Sequence, residues 1–463
     1  MNAAELGTRL VVIGGDAAGM SAASQAKKRR KEWNVVAFEK TDITSYSACG
    51  LPYFVAGDVR RVEDLIARTP QGHRDNGIDL RTSTEVVELD VAGHRVRARD
   101  LATGADYWEP YDQLVIATGA APVRPPVPGV DSVGVFSLST VPDAQLMRGW
   151  IDDLDAEHRH AVIVGAGYIG LEVAEALKIQ GLDVTIVEAA SQPLPLLDHD
   201  MGERLALALL ERGYSVHPNS PLESIEADND GVVTAVVAGG RRYEADLVVL
   251  GIGVRPRSEL AVAAGLPVGA HGGVLTDAKQ RVLGVEGVWA AGDVVETLDR
   301  MTGKPAYLPL GTHANKQGFV IGTNLGGGDA EFPGALGTAV TKVDDFEIGR
   351  TGLSERQATA AGRLVTSTTM TSSTTSGYMP GSSAIVVKFV IERGTGLLLG
   401  AQILGGPGSA KRIDAVAVAL WNKMTVQDFV WTDLGYAPPF SPTWDALLIT
   451  ARKAAEAVGR GPV

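Results

Sequence analysis

Arg9-Leu10-Val11-Val12-Ile13-Gly14-Gly15-Asp16-Ala17-Ala18-Gly19 is the stretch whose reading decides the fold. Its first five residues form a short apolar run of the kind that makes a buried parallel strand. Gly14 permits a tight turn, and Gly19 lets the helix that follows, read as Met20–Lys28, pack close on the strand. The free N–H groups at such a helix start, with Asp16 and Ala17 at its mouth, suit a pyrophosphate. Asp16 stands where the usual G-x-G-x-x-G has its middle glycine, so the loop alone is a weak signal. Order strengthens it. Asn34-Val35-Val36-Ala37-Phe38 is a second strand, and Glu39 ends it where a carboxylate takes a ribose hydroxyl pair, with Lys40 beside it.

The same unit recurs. Ala161-Val162-Ile163-Val164 leads into Gly165-Ala166-Gly167-Tyr168-Ile169-Gly170, a full G-x-G-x-x-G, then a helix (Leu171–Gln180), the strand Asp183–Val187 and Glu188. Glu188 suits an adenosine ribose and favours NADH; no arginine lies between it and Asp200 to meet a 2′-phosphate, and NADPH stays an open alternative. Two complete units in one chain imply one nucleotide that donates hydride and one flavin that receives it. Glu172 and Glu175 read as solvated helix charges with no assigned role.

Between the units lies Ser45-Tyr46-Ser47-Ala48-Cys49-Gly50-Leu51-Pro52-Tyr53, with the only cysteine among 463 residues. A lone cysteine is commonly a small inert hydrophobe. Its place after a nucleotide loop argues for a thiol held against a flavin, and a helix start beside it would lower its pKa. On the first helix, Ser21, Gln25 and Lys28 share one face, and Lys27-Lys28-Arg29-Arg30-Lys31 makes its end basic. Two readings stand: solvated cations favoured at a helix C-terminus, or a site for a phosphate-bearing substrate beside Cys49.

Residues 80–110 alternate polar and apolar around a Thr103-Gly104 turn and read as a small inserted antiparallel sheet. Tyr111–Ile116 is a strand that ends in Ala117-Thr118-Gly119, a turn open to close ligand approach. A proline-rich connector (Pro122, Pro125, Pro126, Pro128) then marks a boundary. The strand Ala245–Leu250 runs through Gly253 into the return connection. Gly287–Asp293 is strand, turn and carboxylate; Gly292 and Asp293 sit where a flavin ribityl hydroxyl would be held, although Asp293 as a simple cap is the plainer reading. Thr312 reads as the N-cap of a helix through His313 and Gly318, whose start would face the flavin pyrimidine.

The totals bound the rest. The length suits about three domains of roughly 150 residues. A formal charge of −13 makes nucleic acid and anionic membranes poor partners. One cysteine excludes an intrachain disulfide and fits a reducing cytoplasm. Glu5 interrupts any basic-then-apolar leader pattern, and no apolar run reaches the ~18 residues of a membrane span. No metal site is assigned.

On these motifs, together with Tyr436-Ala437-Pro438-Pro439-Phe440 near the end, the chain resembles the single-cysteine flavoprotein disulfide reductases: coenzyme A disulfide reductase, NADH oxidase and NADH peroxidase. The resemblance implies an α/β fold of glutathione-reductase type. It has an FAD domain (1–125 and 268–335), an NAD(P)H domain (126–267) and an α+β C-terminal domain (336–463) that makes a homodimer. It implies Cys49 as nucleophile and a coenzyme A site lined by residues matching Ser21, Gln25, Lys28, Ser45 and His313. Tyr378 and Tyr436 would reach into the partner subunit's site, a role favoured over the plainer one of packing residues with satisfied hydroxyls. The oxidase and peroxidase members carry a histidine in the first loop; Asp16-Ala17-Ala18 has none, which places this chain nearer the coenzyme A disulfide reductases. Two departures stand out: Ala48 where the group has asparagine, and Trp444 where it has a substrate-contacting lysine.

The C-terminal segment reads as strands at 336–343, 384–391 and 397–404, a hairpin turn at Arg393–Gly396, a helix at 410–424 and a Ser/Thr-rich edge strand at 366–376. It contains no histidine, so a departing thiolate needs another proton donor; tyrosine, with an ordinary pKa of ~10, is the candidate. The expected reaction is NAD(P)H-driven reduction of a small thiol disulfide or persulfide, coenzyme A among the carriers. The alternatives are an NADH oxidase or alkene reductase with an auxiliary thiol and, of another class, a flavin redox sensor or electron donor to a partner protein.

Overall fold

A computed structural model describes residues 7–155 and 158–459. In the first domain five parallel strands lie in the order Val288–Ala290, Gln113–Ile116, Arg9–Ile13 (β1), Asn34–Phe38 (β2) and Ile78–Arg81. Leu10, Val11 and Val12 are wholly buried, which is why the strand carries no polar residue after Arg9. The helix Ala17–Arg29 (α1) follows the glycine loop, and its buried face is made of small residues, Ala18, Gly19, Ala22, Ala23 and Ala26 among them. A short turn, Ala48–Gly50, holds Cys49 and runs straight into the helix Leu51–Ala56 (α2). The antiparallel ribbon expected over 80–110 is present as Thr84–Asp90, Arg95–Asp100 and Asp106–Pro110.

The second domain repeats the design with His160–Val164 (β3), Tyr168–Ile179 (α3) and Asp183–Val187 (β4) in another five-stranded parallel sheet. The repeat extends to single bonds: Gly14 N donates to Phe38 O at 2.9 Å, and Gly165 N to Val187 O at 2.8 Å. The chain leaves the first domain along Ala120–Pro122 and returns along Val254–Pro256, and these two segments pair antiparallel. The return therefore falls earlier than the expected boundary at 267. Ala261 and Leu266 already pack in the core that holds Val11, Ile13 and Val288.

The helix Gly311–Leu325 (α4) lies across α1 at a distance only glycine allows. A Cβ at Gly318 would stand 2.3 Å from Ala18 O, and one at Gly322 2.6 Å from Ala22 O. The α2 helix faces the other way. Leu51, Val55 and Ala56 share a core with Leu171, Val173 and Leu177 of the second domain and Val343 and Ile348 of the third. Its C-terminal carbonyls are capped from the second domain, Val55 O by Arg148 at 3.2 Å and Ala56 O by Gln180.

The third domain is a five-stranded antiparallel sheet, ordered Ala339–Val343, Phe346–Gly352, Leu398–Gly405, Ala384–Glu392, Val365–Ser373. The Ser/Thr-rich strand is indeed at the edge. The expected helix over 410–424 is a short turn, Ala410–Arg412, followed by Ile413–Trp421. No helix among the described residues is long and apolar enough to cross a membrane.

One buried cation fastens the second and third domains. Lys388, 4% exposed, meets Asp198 at 3.3 Å, Asp200 at 2.6 Å and Glu355 at 2.5 Å. Gln402 completes the cluster with a 2.7 Å bond to Asp198. Removing a buried ion's partner leaves charge in a dry site, at a cost of roughly 3 kcal/mol or more. Lys388→Ala is expected to lower the thermal unfolding midpoint markedly; an unchanged midpoint would show that the cluster contributes nothing to domain docking.

Candidate active site

Both acidic residues that close the nucleotide units do more than their spacing foretells. Glu39 accepts from Gly15 N at 2.8 Å and from Thr41 N at 2.9 Å. Glu188 accepts from Ala166 N and from Ala190 N, each at 2.7 Å. Each carboxylate thus ties its glycine loop to the end of the next strand. Gly14 (φ +109°) could not be replaced, since a Cβ would stand 2.1 Å from Ala117 O; a Cβ at Gly19 would stand 2.0 Å from Gly14 O. Gly165 and Gly170 repeat the pattern against Gly251 O and Gly165 O. Asp16 is the N-cap of α1, Ala17 opens that helix, and Gly167 caps α3 ahead of Tyr168 and the exposed Ile169. Burial, then the Glu39 and Asp293 carboxylates, push the Asp16 carboxyl up to about 6. The Tyr168 hydroxyl is buried without a partner, and burial pushes its pKa to about 12.

Ala117-Thr118-Gly119 continues the first sheet. Ala117 N bonds Ile13 O at 2.8 Å, Thr118 Oγ1 donates to Arg257 O at 2.7 Å, and Gly119 O accepts from Arg257 N at 2.9 Å. Gly119 and Gly253 both face open space on their Cβ side. Gly292 N donates to Gln317 Oε1 at 2.8 Å, and burial alone raises the neighbouring Asp293 carboxyl to about 6. One expectation is corrected here. Thr312 is not the N-cap of α4: the helix begins at Gly311 after Leu310, which has no capping side chain, and Thr312 lies exposed in the first turn. Lys40 points to the surface, where it pairs with Glu85 at 2.8 Å.

The Cys49 side chain is open to solvent, not sealed in apolar packing. Its thiol is nevertheless pushed above the ordinary value, first by the crowding of protein around it and then by the carboxylates of Glu172, Asp293 and Asp16. This reverses the sequence expectation of a lowered pKa. The helix at Cys49 is only six residues long, and its dipole does not outweigh three acids. Glu172 and Glu175 are not solvated either: Glu172 accepts from Thr341 Oγ1 at 2.9 Å, and Glu175 is buried against Lys342 at 2.5 Å.

Beside the thiol stretch opens a cleft of about 1010 Å³. It brings together Ser21, Gln25, Lys28 and Ser45, as the sequence led one to expect, with Asp16, Ala17 and Ser47. Ser21 Oγ donates to Asn315 O at 3.1 Å and Gln25 Nε2 to Thr323 Oγ1 at 3.1 Å, so α4 fixes both. Lys27, Lys28, Lys31 and Arg68 line the cleft, and Lys27 is held there by its bonds to Lys31 O and Trp33 O. Sequence reasoning missed Arg68 and His73, which lie on a segment without a recognisable motif. His313 does not line this cleft: it is buried, with Nδ1 3.1 Å from Leu308 O and its ring against Phe332.

Tyr378 and Tyr436 are 75% and 51% exposed on the third domain. Their two loops are stitched together by Ser376 N to Pro438 O at 3.0 Å, and by Arg412, which donates to Thr374 O and Phe440 O, each at 2.7 Å. Trp444 lies beneath the Arg452 guanidinium, 4.7 Å from its ring centre.

The acids around the sulfur generate a prediction. In flavin-free protein, alkylation of Cys49 by iodoacetamide should rise with a midpoint above that of an ordinary thiol. Glu172→Gln removes the largest charge contribution and should move that midpoint down. A midpoint that stays put would remove Glu172 from the thiol's environment.

The sequence signature of the pyridine nucleotide-disulphide oxidoreductases matches residues 8–318, and that of their dimerisation domain matches residues 338–447. The chain is 41% identical over 446 residues to an NAD(P)H sulfur oxidoreductase (CoA-dependent) of Pyrococcus abyssi, covering 96% of this chain and 97% of that one. It is 36% identical over 448 residues to an NADH oxidase of Methanocaldococcus jannaschii, covering 96% and 98%. Among solved structures, an NAD-dependent persulfide reductase from A. fulgidus superposes with a TM-score of 0.93 at 36% identity, over 97% of this chain and 84% of that one. With both signatures matched and the two nucleotide units folded as repeats, the chain belongs to the pyridine nucleotide-disulphide oxidoreductase family.

Proposed function

We propose that this chain is an FAD-dependent NAD(P)H:disulfide oxidoreductase that works through Cys49 on a disulfide or persulfide of a coenzyme A-type thiol. The observation that carries this reading is a cation-lined cleft in a protein of net charge −13, which opens two residues from an exposed lone thiol. An anionic carrier with a reactive sulfur at one end matches that pairing.

The residues fit the two nucleotides. The start of α1 and Glu39 suit the FAD pyrophosphate and ribose, with Ala117-Thr118-Gly119 and Gly292-Asp293 along the remainder. Asp293, raised by burial alone, gains a donor from a ribityl hydroxyl. Gly165–Gly170, Glu188 and Gly253 suit the nicotinamide nucleotide, and the Tyr168 hydroxyl lacks a partner that a ligand would supply. FAD, when bound, passes the two electrons of NADH to the sulfur.

Cys49 does the rest. Its thiolate attacks one sulfur of R–S–S–R; a Cys49–S–S–R bond forms and R–S⁻ leaves. Two electrons then split the mixed disulfide into the Cys49 thiolate and a second R–S⁻, and two protons yield two R–SH. Carboxylates around the sulfur favour thiol over thiolate, so proton removal belongs to the cycle as much as proton delivery. Tyr378 and Tyr436, exposed on the third domain, fit delivery across a homodimer made by that domain. Such an enzyme suits a reducing cytoplasm.

Without oxygen, a mixed-disulfide resting enzyme should consume about two equivalents of NADH, one for each two-electron centre. Cys49→Ser should consume about one and lose disulfide turnover while its flavin still bleaches. Full disulfide turnover in that variant would refute the reading. Likeness to an NADH oxidase, with Ala48 in place of asparagine, supports a second reading: rapid oxygen consumption undiminished in Cys49→Ser would establish it. Glu188 should make NADH the better donor, by about tenfold in kcat/KM over NADPH; equal use of both would show that it does not read the ribose.

A further inference from the structure

His73 is 2% exposed and yet lies in the wall of the substrate cleft. One ring nitrogen, Nε2, stands 2.9 Å from Ser45 Oγ. The other, Nδ1, is buried and has no partner. Burial and the neighbouring Arg68 push its pKa down to about 4, so the ring is neutral at working pH and carries one proton. On Nδ1 that proton would be an orphaned buried N–H, which folded proteins rarely tolerate. On Nε2 it meets the serine oxygen directly.

Ser45 is itself held in an unusual place. Its φ is +51°, the left-handed region, which a serine does not adopt without cause. Two backbone bonds pin it there: Ser45 N to Gly15 O at 3.2 Å, and Ala67 N to Ser45 O at 2.8 Å. The adjacent Thr44 hydroxyl donates to Gly15 O and so points its proton away from Ser45. Backbone strain of this kind is retained where the side chain's position matters.

We propose that His73 is a positioning residue: it donates from Nε2 to Ser45 Oγ, which leaves the serine's own proton, whose other neighbour is the Thr44 hydroxyl oxygen at a long 3.5 Å, to bond an acceptor oxygen of the bound thiol carrier. Ser45 touches substrate; His73 acts through it. The proposal rests on the disulfide reductase reading above, and deepens it by assigning Ser45 as donor rather than acceptor. The substrate atom it meets must then be a carbonyl or phosphate oxygen, not an N–H.

The experiment is steady-state kinetics of the holoenzyme with coenzyme A disulfide and NADH. His73→Phe keeps the buried volume but removes the donor; it should raise KM for the disulfide about five- to tenfold, as loss of one hydrogen bond would. The kcat and the KM for NADH should stay within about twofold. His73→Gln, whose side-chain amide nitrogen falls near the position of Nε2, should restore KM. In a Ser45→Ala background, His73→Phe should add nothing.

An unchanged KM in His73→Phe, alongside a raised one in Ser45→Ala, overturns the proposal. So does an effect of His73→Phe that persists at full size without Ser45, since it would be structural. If the wild-type enzyme fails to reduce coenzyme A disulfide while still passing electrons from NADH to oxygen, the functional reading itself falls, an outcome distinct from both.

Discussion

The packing of α2 against the second domain is the constraint on which the site depends. Residues 51–66, with Ile43 and Tyr46 packed beside them, carry the first domain into the large core built mainly by the second. Full burial of Leu51 and Val55 contributes roughly 1.5–3 kcal/mol each. Arg148 and Gln180 cap the carbonyl end of the helix from across the boundary. Cys49 lies at the other end, directly before the helix. The exposed thiol is therefore placed by a helix that both nucleotide domains hold.

The second organising feature is duplication. The bonds that join each carboxylate to its glycine loop correspond one for one in the two units, so each solves the same steric problem in the same way. What differs is the neighbourhood. Around the first loop lie Asp16, Asp293 and the cleft; around the second, a partnerless tyrosine and two glutamates tied to the third domain. The chemistry separates through these surroundings and through Asp16, which stands where the second loop has Gly167.

Much of this was legible in the sequence because it is periodic or steric. Apolar runs bounded by glycine, acids at strand ends and a Ser/Thr run suited to an edge all express local rules, and they survive folding. What was not legible depends on contacts between distant segments. The spacing of Ser21, Gln25 and Lys28 on one face was visible, but not that α4 would bond two of them. Glu172 looked solvated because nothing nearby in sequence foretells Thr341. His73 lies in a stretch whose residues match no motif, and its meaning arises only where it meets Ser45. The helix-dipole argument for Cys49 failed for the same reason: it counted the local helix and missed three acids brought in from elsewhere.

The paired segments Ala120–Pro122 and Val254–Pro256 have a mechanical consequence. Exit and return are bonded into one strap, so they act as a single tether instead of two independent linkers. The α2 clasp supplies a second point of attachment. A body fastened at two points can pivot about the line between them but cannot swing free without breaking one. Rotation of one nucleotide domain against the other is thus confined to that single axis.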